Sequence, residues 1–279
     1  MKTAVLLAVF QVLFSGPPAA AQDLSSSTVV IYGDSRAGHK VHKKIAAGIL
    51  GHNPAAVFHL GDFVNDDKNL DDWARFREIT AELRKKTDFF PARGNHEGAG
   101  KNYFRQFEIP GNKKWYSVAR NGIRFVVLDS ESGLGKGSEQ YGWLTTQLST
   151  SSGRTPFTAV LLHIPVFSSG EHGTDRKLAA SLVPLFEKYG VDIVFAGHDH
   201  DYERLYKDGV HYIVTGGGGA PPYNLKKKEP YSRLFLKKHN YCVLSVSGAG
   251  LSVKVFDEEN RQLDSFVVPE RKARGGREK

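Results

Sequence analysis

The 279-residue chain has a single cysteine, Cys242, and a single methionine, Met1. One thiol forms no internal disulfide and builds no thiolate metal cluster, so an oxidising compartment is compatible with the chain but structurally unused. Cys242 lies in the strand-like run Tyr241-Cys242-Val243-Leu244 with no activating neighbour, and is expected to pack as a small core residue rather than act as a nucleophile. Long apolar runs are missing too: the N-terminal one, Ala4 to Phe14, is too short to anchor the chain across a bilayer. A glycine run is present at Gly216 to Gly219, yet no Lys-Ser or Lys-Thr follows and Pro221-Pro222 comes next, which argues against a P-loop. Those glycines are expected to let backbone approach neighbouring loops closely.

Acidic residues are in the minority, 30 against 38 Lys and Arg, and the formal charge of +8 favours anionic ligands. The basic residues gather partly at Lys226-Lys227-Lys228, at Lys237-Lys238 and in the tail from Arg271 to Lys279, where solvated surface and a disordered end suffice as explanation; a nucleic-acid partner is not demanded. With 40% hydrophobic and 24% charged residues the chain suits one large domain. Its N-terminus carries Lys2, the apolar run, a Gly16-Pro17-Pro18 break and Ala19-Ala20-Ala21, the parts of a secretory signal; an amphipathic helix is disfavoured because the run has no polar face. The expected division is a signal peptide over 1–21, a catalytic domain over 22–269 and a basic tail over 270–279. The mature protein is then exported, periplasmic or secreted, and keeps no membrane anchor.

Apolar, β-branched runs at Thr28 to Tyr32, Ala56 to Leu60, Phe89 to Ala92, Phe125 to Leu128, Thr158 to Leu162, Asp192 to Ala196 and Tyr212 to Thr215 predict strands. Asp71 to Lys86 predicts a helix through Trp73, Phe76, Ile79 and Leu83 with acidic residues at its start, and Asp175 to Tyr189 predicts a second one interrupted by Pro184. Tyr241 to Val246 and Leu251 to Phe256 flank Ser247-Gly248-Ala249-Gly250 as a hairpin. This mixture predicts an α/β (α+β) fold with two facing mixed β-sheets and helices outside.

Just past the ends of those strands stand Gly33-Asp34, Gly61-Asp62, Gly94-Asn95-His96-Glu97, His163 and Gly197-His198-Asp199-His200. An α/β fold gathers its site loops there. Carboxylate, carboxamide and imidazole make an oxygen and nitrogen donor set suited to zinc, manganese or iron. A paired-metal site needs a bridging oxyanion, and Asp62 is the candidate. For His39, His42, His52, His59, His211 and His239 no pattern connects the residues, and ordinary hydrogen bonding is the expectation.

With these motifs in this order the chain resembles the calcineurin-like metallophosphoesterases, and within them the purple acid phosphatases. Leu128-Asp129-Ser130, Gln140-Tyr141-Gly142-Trp143-Leu144, His163-Ile164-Pro165, Ser168-Ser169-Gly170 with His172, Tyr202-Glu203-Arg204 and Tyr212 to Gly219 extend the match over most of the mature chain. The resemblance implies a four-layer sandwich and two divalent or mixed-valence metal ions. It implies Asp34 and His200 as ligands of the first ion, Asn95, His163 and His198 of the second, and Asp62 shared between them. His96 matches the histidine that contacts the phosphate and assists the leaving group, and His172 a further histidine lining the pocket. Asp129 and Ser130 are not read as a nucleophile, since the metal set supplies a hydroxide and no neighbouring base is apparent, and Asp129 is read as support for the site's backbone.

Two positions depart from the pattern. Asn65 stands where the purple enzymes have a tyrosine ligand, which leaves ferric iron and the charge-transfer colour open; weak coordination and a supporting role are both readings of it. Arg36 stands where many relatives have a histidine ligand, and a guanidinium binds no metal. Either it clamps a phosphate oxygen, or it forms an ion pair with a carboxylate such as Asp66 or Asp199. The implied activity is hydrolysis of a phosphomonoester of small-molecule type. Phosphodiester or nucleotide hydrolysis on the same scaffold is the rival enzyme reading, and a non-catalytic phosphate or polyanion binder the third.

Overall fold

The first strand is buried on both faces, and the alternation of its side chains between them sets the layers. In the computed structural model, which describes residues 28–112, 114–150 and 155–271, β1 (Val29–Tyr32) sends Val29 and Ile31 into one apolar cluster and Val30 and Tyr32 into another. The expected leader over 1–21 and the tail beyond Arg271 lie outside the described residues. After β1 come α1 (His39–Gly51), β2 (Ala56–His59), α2 (Leu70–Lys86), β3 (Asp88–Pro91), a short 3₁₀ turn at Asn95–Glu97 and α3 (Tyr103–Gln106). Then follow β4 (Tyr116–Arg120), β5 (Ile123–Val127), α4 (Glu139–Ser149), β6 (Phe157–Leu162), α5 (Arg176–Tyr189) and β7 (Ile193–Ala196). The last elements are β8 (Tyr202–Lys207), β9 (Val210–Thr215), β10 (Ser232–Leu236), β11 (Tyr241–Ser247), β12 (Gly250–Phe256) and β13 (Gln262–Val268).

The strands form a six-stranded sheet in the order β13-β12-β11-β1-β2-β3 and a seven-stranded sheet in the order β10-β8-β9-β7-β6-β5-β4. Both are mixed: β1, β2 and β3 run parallel, as do β5, β6, β7 and β9, while the outer strands pair antiparallel. Inner-facing Ile31, Phe58, Leu244 and Val253 of the first sheet share one core with Phe125, Leu161, Phe195 and Ile213 of the second. Outside, α1 and α2 cover the six-stranded sheet through Ile45, Ile49 and Leu83. On the other flank α4 and α5 cover the seven-stranded sheet through Leu144, Leu148, Leu182 and Phe186. This is the four-layer sandwich of two mixed sheets flanked by helices.

The helices start where local chemistry starts them. Asn69 caps α2 by accepting from the backbone N–H groups of Asp71 and Asp72, and Asp175 caps α5 by accepting from those of Lys177 and Leu178. Basic Arg84, Lys85 and Lys86 complete the charge asymmetry of α2, and Gly190 ends α5 in the left-handed region. Pro184 sits inside α5, which runs on through it. The predicted hairpin forms as β11 and β12, each one residue longer at the turn than the apolar run, with Ser247 paired to Gly250.

Several elements have weaker sequence signals. In α1 the buried positions are His42, Ile45, Ala46 and Ile49, and a histidine at the head of the stripe hides its periodicity. The motif Gln140 to Leu144 lies in the helix α4, capped by Ser138. Strands β4, β10 and β13 lie at sheet edges, where one side faces water and apolar alternation is diluted. Strand β8 carries Glu203 and Arg204, whose charges are met by Ser169 and by Asp264. Among the described residues no helix is long and apolar enough to cross a membrane.

Candidate active site

The parallel strands of the two sheets point the same way, so the loops after their C-terminal ends meet. From the six-stranded sheet come Asp34 after β1, Asp62 after β2 and Asn95 and His96 after β3; from the seven-stranded sheet come His163 after β6 and His198 and His200 after β7. Asp34, Asp62 and His198 all adopt positive φ, at 58°, 57° and 67°. Backbone held so in non-glycine residues costs energy that the surrounding contacts must repay, and it aims the side chains inward. Glycine is required close by. A Cβ on Gly94 would stand 2.3 Å from Asp62 Oδ1, and one on Gly197 would stand 2.3 Å from Asp34 Oδ2.

Six side chains converge in two overlapping groups. Asp34, Asp62 and His200 bring potential ligand atoms within 4.8 Å of one another, all buried. On the other side of Asp62, His163 Nε2 lies 3.4 Å from Asp62 Oδ1, 2.9 Å from Asn95 Oδ1 and 3.2 Å from His198 Nδ1. The outer nitrogens of two imidazoles are held by backbone carbonyls: His163 Nδ1 by Leu60 at 2.9 Å and His200 Nδ1 by Pro221 at 3.1 Å. With Nδ1 of each ring engaged by its carbonyl, Nε2 is the nitrogen turned to the centre. His163 Nε2, Asn95 Oδ1 and Asp62 Oδ1 thus converge as potential ligand atoms within hydrogen-bond distance of the imidazole. The donor set therefore fits a metal at this position.

Electrostatics support the same use. Burial, and then His163 and His172, hold the His198 imidazolium down to about 3; burial and Arg36 hold that of His200 to about 4, so both rings are neutral donors. Burial and the Asp62 carboxylate push Asp34 well above the usual range. Burial works against ionising Asp62, but His163, His96 and the His96 backbone N–H together pull its carboxyl below the ordinary value. Two buried carboxylates facing one another are what a cation would relieve.

The remaining expected residues ring this centre. The Nδ1 atom of His96 is 2.7 Å from the Asn65 carbonyl, leaving Nε2 turned inward 3.8 Å from Asp62 Oδ2. His172 packs on His198 with ring centroids 3.9 Å apart, and its Nδ1 is 2.9 Å from Asp199 Oδ1. Arg36 pairs with neither Asp66 nor Asp199. Its Nε donates to Asp62 Oδ2 at 3.2 Å, and its terminal nitrogens lie 3.4 Å from Asn65 Oδ1 and 3.5 Å from His200 Nε2. Asn65 is accordingly a partner of Arg36. Asp129 grips Arg93, two residues before Asn95, at 2.9 Å, and Arg93 donates in turn to the Gly98 carbonyl at 2.6 Å.

Residues without an assigned role in the motifs also matter. Glu97, fully buried, accepts from the backbone N–H groups of Asp62, Phe63 and Gly94 at 2.9, 2.9 and 2.8 Å, tying the β2 loop to the β3 loop. Its fixed place in Gly94-Asn95-His96-Glu97 was the available signal. Tyr223 stacks on His200 with centroids 4.1 Å apart, and only tertiary contact reveals it. His59, in the sequence an unremarkable histidine, contacts Ser35 Oγ at 3.0 Å and so braces the residue next to Asp34. Cys242 is buried beside Thr215, and burial raises its thiol to about 12, which suits a core residue.

Fold and loop chemistry together define a phosphoesterase scaffold, and residues 28–202 match the calcineurin-like phosphoesterase family, to which the chain belongs. It is similar to purple acid phosphatase 1 of Ipomoea batatas, 31% identical over 60% of this chain and 40% of that one. It is also similar to a nucleotide pyrophosphatase/phosphodiesterase of Hordeum vulgare, 26% identical over 91% of this chain and 86% of that one. Among solved structures, purple acid phosphatase PPD1 from yellow lupin seeds shares the fold with a TM-score of 0.79 at 22% identity, covering 86% of this chain and 53% of the other. The chain spans 40% and 45% of the length of the first two purple acid phosphatases it matches.

Proposed function

We propose that the chain is a metal-dependent phosphoric ester hydrolase that acts on phosphomonoesters at a binuclear centre. Asp34 and His200 would hold the first ion and Asn95, His163 and His198 the second, with Asp62 shared between them. Iron, manganese and zinc all suit this donor set. When bound, such ions polarise the phosphoryl group and make a water acidic enough to attack near neutral pH. The observation that carries the reading is the convergence of His163 Nε2 on Asn95 Oδ1, Asp62 Oδ1 and His198 Nδ1, with Asp34 and His200 grouped on the other side of Asp62.

The chain's own groups complete the chemistry. His96, its Nδ1–H donating to the Asn65 carbonyl, is placed to deliver a proton from Nε2 to the departing alkoxide when its ring is an imidazolium. Arg36 presents a planar fork that matches phosphoryl oxygens, and His172, oriented by Asp199, lines the same pocket. The basic balance of the chain favours the anionic substrate. Export through the N-terminal leader belongs to the same proposal.

A second reading has one specific support: the Hordeum vulgare nucleotide pyrophosphatase/phosphodiesterase is matched over 86% of its own length, whereas the first purple acid phosphatase is matched over 40%. On that reading the substrate is a phosphodiester or a nucleotide pyrophosphate. The deciding experiment measures hydrolysis of a generic phosphomonoester, a matched phosphodiester and a nucleoside diphosphate sugar by purified protein, with metal content determined before and after chelation. Chelator-sensitive turnover of the monoester above the others supports the proposal. Preference for the diester or pyrophosphate moves the assignment to the second reading, and a metal-loaded protein inert to all three overturns both.

A further inference from the structure

The two halves of the centre are not equivalent, and the difference lies in one residue. Around Asn95, His163 and His198 the contacts join carboxamide, carboxylate and imidazole groups, and no Arg or Lys among the described residues pairs with those three residues. Around Asp34 and His200 a permanent cation is already in place. The Arg36 guanidinium donates to Asp62 Oδ2 at 3.2 Å and stands 3.5 Å from His200 Nε2, so it addresses two of the three residues that form the first ligand group. Since His200 Nδ1 is held by the Pro221 carbonyl, the Nε2 facing Arg36 is the lone-pair nitrogen, and the contact is a hydrogen bond that any ion bound there must compete with. The Arg36 side chain is only 17% exposed and is further held by Asn65 Oδ1 and the Tyr223 hydroxyl, so water screens its charge poorly.

We propose that Arg36 makes the two metal positions unequal: the guanidinium supplies part of the positive charge that the first ion would bring, so that the second position is filled tightly and the first weakly and reversibly. This rests on the metal-dependent reading above. Two physical effects act in the same direction. Like charges a few ångströms apart in a poorly screened site repel, and the acceptor atoms of Asp62 and His200 lose a satisfied donor when an ion takes them. Filling the first position then requires the fork to swing away from Asp62. That motion frees it for a phosphoryl oxygen, so the same residue gates the first ion and receives the substrate.

The test is metal binding rather than turnover. Chelator-stripped wild-type protein is titrated calorimetrically with Mn²⁺ and, separately, with Zn²⁺, and metal retained after gel filtration is counted by mass spectrometry. Wild type is expected to retain one ion per chain and to bind a second at least about tenfold more weakly, the scale of a modest charge repulsion. Arg36→Ala and Arg36→His are expected to tighten that second event by about tenfold or more, while Arg36→Lys, which keeps the charge, stays close to wild type. Asn95→Ala should abolish the retained ion, and His200→Ala should spare it. Two equally tight ions in wild type, unchanged in Arg36→Ala, would overturn this inference alone. Absence of any bound ion in wild type with its thermal transition intact would overturn the metal-dependent reading and this inference together.

Discussion

Removing the Glu97 carboxylate tests how the site is held in place without touching a proposed ligand. In Glu97→Ala three backbone donors, those of Asp62, Phe63 and Gly94, lose an acceptor lying 2.8 to 2.9 Å away in a fully buried position. A buried donor left unsatisfied costs about 1–3 kcal/mol. With some relaxation of the loops the loss is expected to be about 3–6 kcal/mol, a large share of the roughly 5–15 kcal/mol that holds a domain of this kind together. Burial and the neighbouring Asp62 push the Glu97 carboxyl up to about 8, with its backbone hydrogen bonds acting against that rise, so the group is placed for its backbone donors at some cost in ionisation. Glu97→Gln keeps the shape and one acceptor oxygen and is expected to lose about half as much. Urea denaturation followed by circular dichroism reads both variants against wild type. A companion metal titration should show weakened binding, because Asp62 and Asn95 sit on the two loops that Glu97 joins. A loss below about 1 kcal/mol in Glu97→Ala, the scale of one ordinary hydrogen bond, would refute the argument that this carboxylate is the tie between the loops.

Other outcomes follow from the same geometry. His96→Ala is expected to lower kcat about 10²- to 10⁴-fold on an alkyl phosphate but much less on an aryl phosphate with a good leaving group; equal losses on both would remove the proton-donor role. His163→Ala should reduce retained metal to below one ion per chain by mass spectrometry, since His163 Nε2 faces Asp62, Asn95 and His198 together. His42, fully buried with Nε2 3.3 Å from the Tyr32 hydroxyl, has its imidazolium held down to about 3 by burial and His39. The unfolded chain thus binds the proton first, and this group's contribution is present above the ordinary value near 6.5 and lost as pH falls toward 3. In His42→Phe, which keeps the stacking on Phe76, the fall in stability over that window should be shallower by up to about 1.4 kcal/mol per pH unit, measured by denaturation at stepped pH. Chelation should lower the thermal midpoint, and restoring the ion should raise it with added concentration, as for any ligand that binds only the folded state.

Loop chemistry and strand order are legible in the chain itself. Seven apolar runs and a hairpin locate all seven parallel strands and the β11-β12 pair, because a strand buried on both faces must be written in apolar, β-branched residues. The donors Asp34, Asp62, Asn95, His163, His198 and His200 stand beside glycines and strand ends, and steric demand at Gly94 and Gly197 explains why those neighbours are glycine. What remained hidden is either local structure with a diluted pattern or contact between distant segments. The edge strands β4, β10 and β13 face water on one side, and α1 hides its stripe behind a buried histidine. The partner of Arg36 could not be chosen among the carboxylates by sequence, since Asp62, Asp66 and Asp199 are equal in charge; the turn after β1 brings the guanidinium to Asp62. Glu97 as a tie, Tyr223 on His200 and Asp199 behind His172 likewise exist only once two sheets close on one another. The sequence by itself determined which donor atoms are available and at which strand ends they stand, because those follow from residue type and periodicity. Tertiary structure alone decided which of them share a point in space and which charge already sits there, because that depends on how separate loops are packed together.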